Sequence, residues 1–284
     1  MAEIINFDTV AAFFKENQPY FQAQYYQHFY VIKVMEAIEN QEVSVLDAFN
    51  VVSGVKKIIF LSTDKSGIYI YGDAIDDDAI NSLYERATYK HYTNFHFAGS
   101  KPILDRLFDL KELPSSIDKS RIIYVANNIL HLKRKHLGKA VNSIYADFET
   151  LTQMSYAYSI EEWGEREGRG IDYVQEMVAQ CIEQQILIQY NVSSGIAAIA
   201  QVLNSENKMP IVGSLYTLPE KRGKGIATML VHAITSKLLK SGFTTCGIIS
   251  DATNPITNKM FSNIGFQAVS EHLSVICTDF GKRI

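Results

Sequence analysis

Apolar residues recur at helical spacing near the start of the chain. Residues 8–17 and 20–39 are predicted helices. In the second, Phe21, Tyr25, Phe29, Ile32 and Met35 follow steps of three and four, and glutamine-rich polar positions fill the other face. Tyr20, Tyr25, Tyr26 and Tyr30 in this stretch either line a pocket or cover a core. The pattern then turns to strands at 55–63 and 68–72, joined by the turn Asp64-Lys65-Ser66-Gly67. Asp76-Asp77-Asp78 opens a helix predicted to reach about Tyr89, with its acids at the positive end of the dipole. As a metal loop this run lacks spaced ligands and a glycine turn. A strand at 94–97, a helix at 102–110 with Pro102 in its first turn, and a strand at 121–126 follow. Residues 1–135 therefore read as an α+β domain, and no catalytic signature stands out in it.

Residues 127–138 are polar and basic and make a junction. Beyond them, 140–284 reads as a second domain. A strand at 140–144 precedes a helix that Asp147 is expected to cap. The glycine-punctuated stretch 164–170 leads to a helix at 171–184. Strands at 186–190, 196–203 and 210–217 come next, joined by the turns 191–195 and 204–208.

The third of these strands runs into Pro219-Glu220-Lys221-Arg222-Gly223-Lys224-Gly225 and then a long helix. Ala227, Leu230, Val231, Ile234 and Leu238 share one face of that helix, Lys237 and Lys240 lie in its last turns, and Gly242 is placed to end it. Free N–H groups at a helix start, with the positive end of the dipole behind them, form an anion site. Glycines allow close approach to a phosphate, and Arg222 and Lys224 add charge. The same pattern also serves as plain packing punctuation. It is neither a P-loop, since GxxxxGK[ST] is absent, nor a Rossmann GxGxxG, since Thr228 stands three after Gly225.

Composition narrows the class. The chain has 284 residues, 47% of them apolar and 20% charged, enough for two domains with real cores. With 27 Lys and Arg against 31 Asp and Glu the net charge is −4, which gives no field to recruit nucleic acid or an anionic membrane. The one basic run, Lys133-Arg134-Lys135, is short and reads as a solvated linker. Cys181, Cys246 and Cys277 form no CxxC pair and are expected to be buried thiols of a reducing compartment, with no metal site. No secretory signal and no apolar run near the ~20 residues of a membrane span is visible, so a cytoplasmic location is expected.

Arg222-Gly223-Lys224-Gly225-Ile226-Ala227 fits the pattern Q/R-x-x-G-x-G/A, and the chain here resembles the GCN5-related N-acetyltransferase (GNAT) superfamily. Leu215-Tyr216-Thr217-Leu218-Pro219-Glu220 looks like the ending of that family's fourth strand. The segment from Asp251 to Phe261 is similar to its D-x-x-N-P-x-S/T-N-x-x-Y block, closed by Gly265-Phe266. The resemblance covers the C-terminal half. It implies the acyl-CoA N-acyltransferase fold, an α+β arrangement in α/β/α layers around a mixed, mostly antiparallel sheet. It also implies acetyl-CoA as cosubstrate, without a metal. In that family the fourth strand bulges and splays from the fifth, and the pantetheine arm fills the gap. The backbone of Leu215 and Thr217 is then expected to hold the arm, with an N–H near Leu215–Tyr216 on the thioester carbonyl. The amides of Gly223, Lys224, Gly225, Ile226, Ala227 and Thr228 would cradle the pyrophosphate, and Asn254 and Asn258 would flank the cofactor.

The family's tyrosine, which gives a proton to the leaving thiolate, is replaced here by Phe261. Three accounts follow. Tyr216, Tyr156 or Tyr158 substitutes, the thiolate leaves unaided, or the domain binds acyl-CoA without turning it over. Glu161, Glu162 and Glu165, placed in a loop after the domain's first helix, and Trp163 among them either border an acceptor pocket or form a solvated surface. His232 is expected to be exposed. The resemblance implies N-acetyltransfer to a primary amine of a small molecule or peptide, and the alternative is a non-catalytic acyl-CoA module. Some family members carry an N-terminal unit that resembles a degenerate copy of the fold. Here that unit is expected to cover the acceptor pocket or to form a homodimer contact.

Overall fold

The computed structural model describes residues 2–65, 67–87, 95–132, 138–164, 170–203 and 208–277. Along these the chain runs twice through one order, β-α-α-β-β-β-α-β-α-β. The first pass is β1 (Glu3–Asn6), α1 (Val10–Ala23), α2 (Phe29–Glu39), β2 (Val45–Ser53), β3 (Lys56–Thr63), β4 (Gly67–Gly72), α3 (Asp77–Arg86), β5 (Phe95–Ser100), α4 (Lys101–Leu110) and β6 (Ser115–Ala126). The second is β7 (Gly138–Asn142), α5 (Phe148–Trp163), α6 (Ile171–Glu183), β8 (Leu187–Val192), β9 (Gly195–Leu203), β10 (Ile211–Thr217), α7 (Ile226–Lys240), β11 (Cys246–Asp251), α8 (Pro255–Ile264) and β12 (Gln267–Cys277). The ends of the predicted elements near Tyr89, Asn94 and Asn204, together with Glu165 and Lys133-Arg134-Lys135, lie outside the described residues.

Two compact units result. Unit 1 holds Met1–Ile123, Asp251–Thr253 and Val269–Ile284, and unit 2 holds Tyr124–Ser250 and Asn254–Ala268. A cut near 135–140 does not anticipate that the last strand belongs with unit 1. The apolar face of β12 decides it, because Leu273, Val275 and Cys277 are buried in the unit 1 core with Phe97, Leu104 and Leu107.

In unit 1 the strands follow the order β1-β2-β3-β4-β5-β12-β6. β4 and β5 are parallel and registered from Gly67↔His96 to Ile70↔Gly99. At Gly99 a Cβ would lie 1.7 Å from the Ile70 carbonyl oxygen, so only glycine permits this close pairing. The predicted helix at 20–39 is two pieces. α1 runs through Pro19 to Ala23, a turn at Gln24–His28 intervenes, and α2 starts at Phe29. Helical spacing stays continuous across the turn because both helices pack into one cluster, with Phe13, Phe21, Val31 and Met35 against Ile59 and Leu61. β2 escapes sequence patterning because Asp47 and Asn50 interrupt its apolar run. Each has a partner: Asp47 takes two bonds from Arg86 at 2.9 and 3.1 Å, and buried Asn50 exchanges amide bonds with Asn17 at 3.0 and 3.1 Å. α3 starts as expected, with the Asp76 carboxylate accepting from the Ala79 amide at 3.0 Å.

In unit 2 the order is β11-β10-β9-β8-β7, antiparallel except for the parallel pair β10–β11. The core sits between this sheet and α5 and α6, where Leu151, Val174 and Val178 meet Leu187, Ile199 and Tyr216. Asp147 occupies the N-cap position of α5 but its side chain does not cap. Its carboxylate accepts from Gln189 Nε2 at 2.8 Å, because the buried glutamine competes for it. No helix among the described residues is long and apolar enough to cross a membrane.

Candidate functional site

β10 and β11 pair at only two registered positions, Ile211↔Gly247 and Val212↔Ile248. Beyond Val212, β10 runs on to Thr217 without a parallel partner. The cause is a bulge on its other edge. Between Gly213↔Gln201 and Tyr216↔Ile199 the pairing with β9 carries one extra residue on β10. Ser214 takes φ +48° there, and its hydroxyl donates to Gln201 Oε1 at 3.0 Å, which holds the bulge in place. The strand bends away and exposes the backbone of residues 213–217, a ready edge for an extended ligand.

After Thr217 a short turn, Pro219–Lys221, leads to Gly223 and Gly225 with φ of +74° and +78°. These left-handed positions turn the chain into α7, whose N-cap is Gly225 without a side-chain cap. Among the described residues, no backbone acceptor is recorded for the amides of Gly223, Lys224 and Gly225. A Cβ at Gly223 would meet nothing within 4 Å. The loop and first turn of α7 thus offer unshielded N–H groups, backed by the helix dipole, with open space in front. The residues present fit a diphosphate at the loop and an amide-bearing chain along β10.

Arg222 is engaged elsewhere. Its Nε donates to the Thr217 carbonyl at 2.9 Å, and its guanidinium pairs with Glu161 at 2.7 Å and lies 5.4 Å from the centre of the Tyr216 ring. It ties the end of β10 to α5. Lys224 Nζ donates back to the Glu220 carbonyl at 3.0 Å. Glu161 and Glu162 sit in the last turn of α5, not in a loop, because the helix continues to Trp163. Trp163 is half exposed. His232 is half-buried, with Nε2 3.1 Å from the Leu130 carbonyl, so it is held rather than free in solvent.

Asn254 caps α8, accepting from the Thr257 amide at 3.2 Å. Asn258 follows one turn later, its N–H bonded to the Asn254 carbonyl at 3.2 Å. Phe261 is buried between the rings of Tyr124 at 5.9 Å and Phe266 at 6.2 Å. Tyr124 is a phenol that sequence reasoning missed, since nothing in the strand pattern of residues 121–126 marks it. Burial pushes the Tyr124 hydroxyl up, so it stays protonated near neutrality. The Tyr216 hydroxyl is also raised, first by burial and then by the Glu161 charge. Tyr156 is partly exposed and Tyr158 half-buried. The bulge at Ser214 had one visible signal, Gly213 inside a strand pattern.

A split parallel pair followed by a glycine-led helix is the arrangement of the GNAT acyl-CoA N-acyltransferases, and this chain has that fold. Residues 192–275 match the family model of the FR47-like proteins, which are GNAT-related. An acetyltransferase from the GNAT family of Colwellia psychrerythraea superposes with a TM-score of 0.59 at 12% identity, covering 97% of this chain and 98% of its own. A GCN5-related N-acetyltransferase from Sphaerobacter thermophilus gives 0.52 at 11% identity over 81% and 79%. No curated protein matches the chain.

Proposed function

We propose that the protein is an N-acetyltransferase that moves an acetyl group from acetyl-CoA to a primary amine of a small molecule or peptide by direct transfer. The unpaired edge of β10, running into the glycine loop and α7, carries this reading. Acetyl-CoA, when bound, supplies an acyl group activated as a thioester.

The chain's own residues bind and orient. The backbone of Leu215 and Thr217 offers hydrogen bonds along the strand edge, and an N–H near Leu215–Tyr216 polarises a carbonyl placed there. The amides from Gly223 to Thr228 hold phosphate oxygens. Asn254 and Asn258 border the arm from α8, and Phe261 closes the wall behind them. Tyr216 and Tyr124 are protonated phenols able to donate to a departing thiolate. Direct transfer is favoured because Cys181, Cys246 and Cys277 are all buried, and burial pushes the Cys181 thiol up and that of Cys246 up to about 12. Neither Cys181 nor Cys246 is a thiolate nucleophile near neutrality, and Cys277 is out of reach of a substrate.

Phe261, buried and without a proton, favours a second reading, a module that binds acyl-CoA without turnover. Incubation with acetyl-labelled CoA and a panel of amines separates the two. Label is expected in an amine and not in the protein. Label bound covalently to the protein contradicts direct transfer, and label remaining on CoA with every amine contradicts catalysis.

A further inference from the structure

Unit 1 contains a cavity of about 160 Å³, at the C-terminal ends of the parallel strands β4 and β5. Tyr71-Gly72-Asp73 and Ser100 leave the sheet there, the α1–α2 turn supplies Gln24, Gln27 and His28, and β12 supplies Ser270–His272. In the repeated order of elements, this is the position that the β10–β11 split holds in unit 2. The anion chemistry of that split is missing. β4 and β5 stay paired, and α3 begins with the Asp76 carboxylate on its amides and two further acids, Asp77 and Asp78. A phosphate would meet charge of its own sign.

The lining points to a different ligand. It contains no lysine or arginine, so an anion finds no counter-charge. Cations stand behind the wall. Lys57 Nζ donates to Asn17 Oδ1 at 3.0 Å beside the Tyr20 ring, and Arg121 acts on His272. A ligand cation next to His272 would meet the same repulsion. His28 and His272 are both nearly inaccessible, at 3% and 5% exposure. His28 Nδ1 faces the Phe21 carbonyl at 3.4 Å, and the Gln24 carbonyl also acts on the ring, so the imidazole donates to the backbone and keeps one nitrogen as an acceptor when neutral. Tyr71 Oη lies 3.2 Å from His272 Nδ1 and takes a bond from the Val31 amide. In either tautomer this bond occupies Nδ1 and fixes the His272 ring at the cavity wall.

Two neutral imidazoles and the amides of Gln24 and Gln27 give the cavity both donors and acceptors. Asp73 and Glu271 add acceptors at the exposed rim. The Ser270 hydroxyl is buried and has no hydrogen-bond partner among the described residues. Aromatic faces are present at Tyr20 and Tyr71. A hydroxyl group both donates and accepts, and a C–H face stacks on a ring, whereas an ammonium or a carboxylate satisfies only one kind of partner. The volume corresponds to roughly five waters, enough for a small sugar.

We propose that this cavity in unit 1 is a binding site for a small neutral polyol, of about monosaccharide size. The site does not rest on the acetyl-CoA reading. The test is a titration of full-length protein, labelled at histidine Cε1, with ribose and with myo-inositol, using ethanolamine and acetate as charged comparators. At least one polyol is expected to shift the His28 and His272 signals saturably, and the comparators are not. Ser270→Leu, which fills the cavity, and Glu271→Gln, at the exposed rim, are expected to weaken polyol binding about ten-fold or more. Glu271→Gln keeps the test available where Ser270→Leu fails to fold. Acetyl-CoA binding, measured in parallel, is expected to be unchanged in Glu271→Gln, so failure of one reading is told apart from failure of the other. No saturable shift with either polyol, binding of a charged comparator instead, or wild-type polyol affinity in Glu271→Gln would overturn the proposal.

Discussion

Replacing Gly223 by alanine separates the cost of strain from the loss of a ligand contact. Gly223 has φ +74°, and a Cβ there meets no atom within 4 Å. The protein alone therefore feels only the left-handed strain of a non-glycine residue, about 1–2 kcal/mol. For a chain of this size that lowers the melting temperature by roughly 2–8 °C. The added methyl enters the space in front of the loop amides. Displacing a phosphate from one charge-assisted amide contact costs about 1.5–3 kcal/mol, which is about 10- to 100-fold in affinity. Gly242 is the matched control. It lies just past α7 at φ +103°, again with nothing within 4 Å, so alanine there adds comparable strain far along the helix from the loop. Calorimetric titration with CoA, beside thermal unfolding, reads both effects. The reasoning fails if Gly223→Ala weakens CoA no more than Gly242→Ala does.

Phe261→Tyr restores the phenol that the family pattern places on α8. If proton supply limits turnover, kcat is expected to rise about 10²- to 10⁴-fold, while burial of the hydroxyl between two rings costs about 1–3 kcal/mol of stability where it finds no partner. An unchanged kcat with intact folding would place proton donation elsewhere, Tyr216 and Tyr124 being tested next as phenylalanines. The His28 and His272 imidazoles are both held at about 4, chiefly by burial, below their usual 6.5. Between those values the unfolded chain binds protons that the folded chain does not, so stability falls as pH drops from about 6.5 towards 4, by on the order of 3 kcal/mol per histidine. Thermal unfolding across that range checks it, and a flat profile would refute neutral burial. Iodoacetamide at neutral pH is expected to leave Cys181, Cys246 and Cys277 unmodified until the protein unfolds, as read by mass spectrometry. Rapid native alkylation of Cys246 would contradict its burial.

Periodicity and turn chemistry made the second half of the chain legible. β8, β9, α6 and α7 follow their apolar patterns, and the loop glycines announced themselves by spacing. What stayed hidden depends on partners far along the chain. β2 needed Arg86 and Asn17 to absorb its polar residues. The break between α1 and α2 is a turn in the middle of an unbroken helical pattern, and Pro19, the visible breaker, lies inside α1 instead. Arg222 looked like a phosphate ligand until α5 brought Glu161 within 2.7 Å. Tyr124 next to Phe261 is a tertiary contact between β6 and α8 with no local sign. The cavity of unit 1 joins residues near position 20 to residues near 270, a pairing that no spacing along the chain reveals.

The most direct test of the account is release of free CoA thiol from acetyl-CoA by the full-length protein across a panel of primary amines, with mass detection of the products. Thiol release that depends on an amine and matches the acetylated amine in amount is the predicted result. Tight CoA binding with no amine-dependent release would contradict an acetyltransferase and leave a binding module.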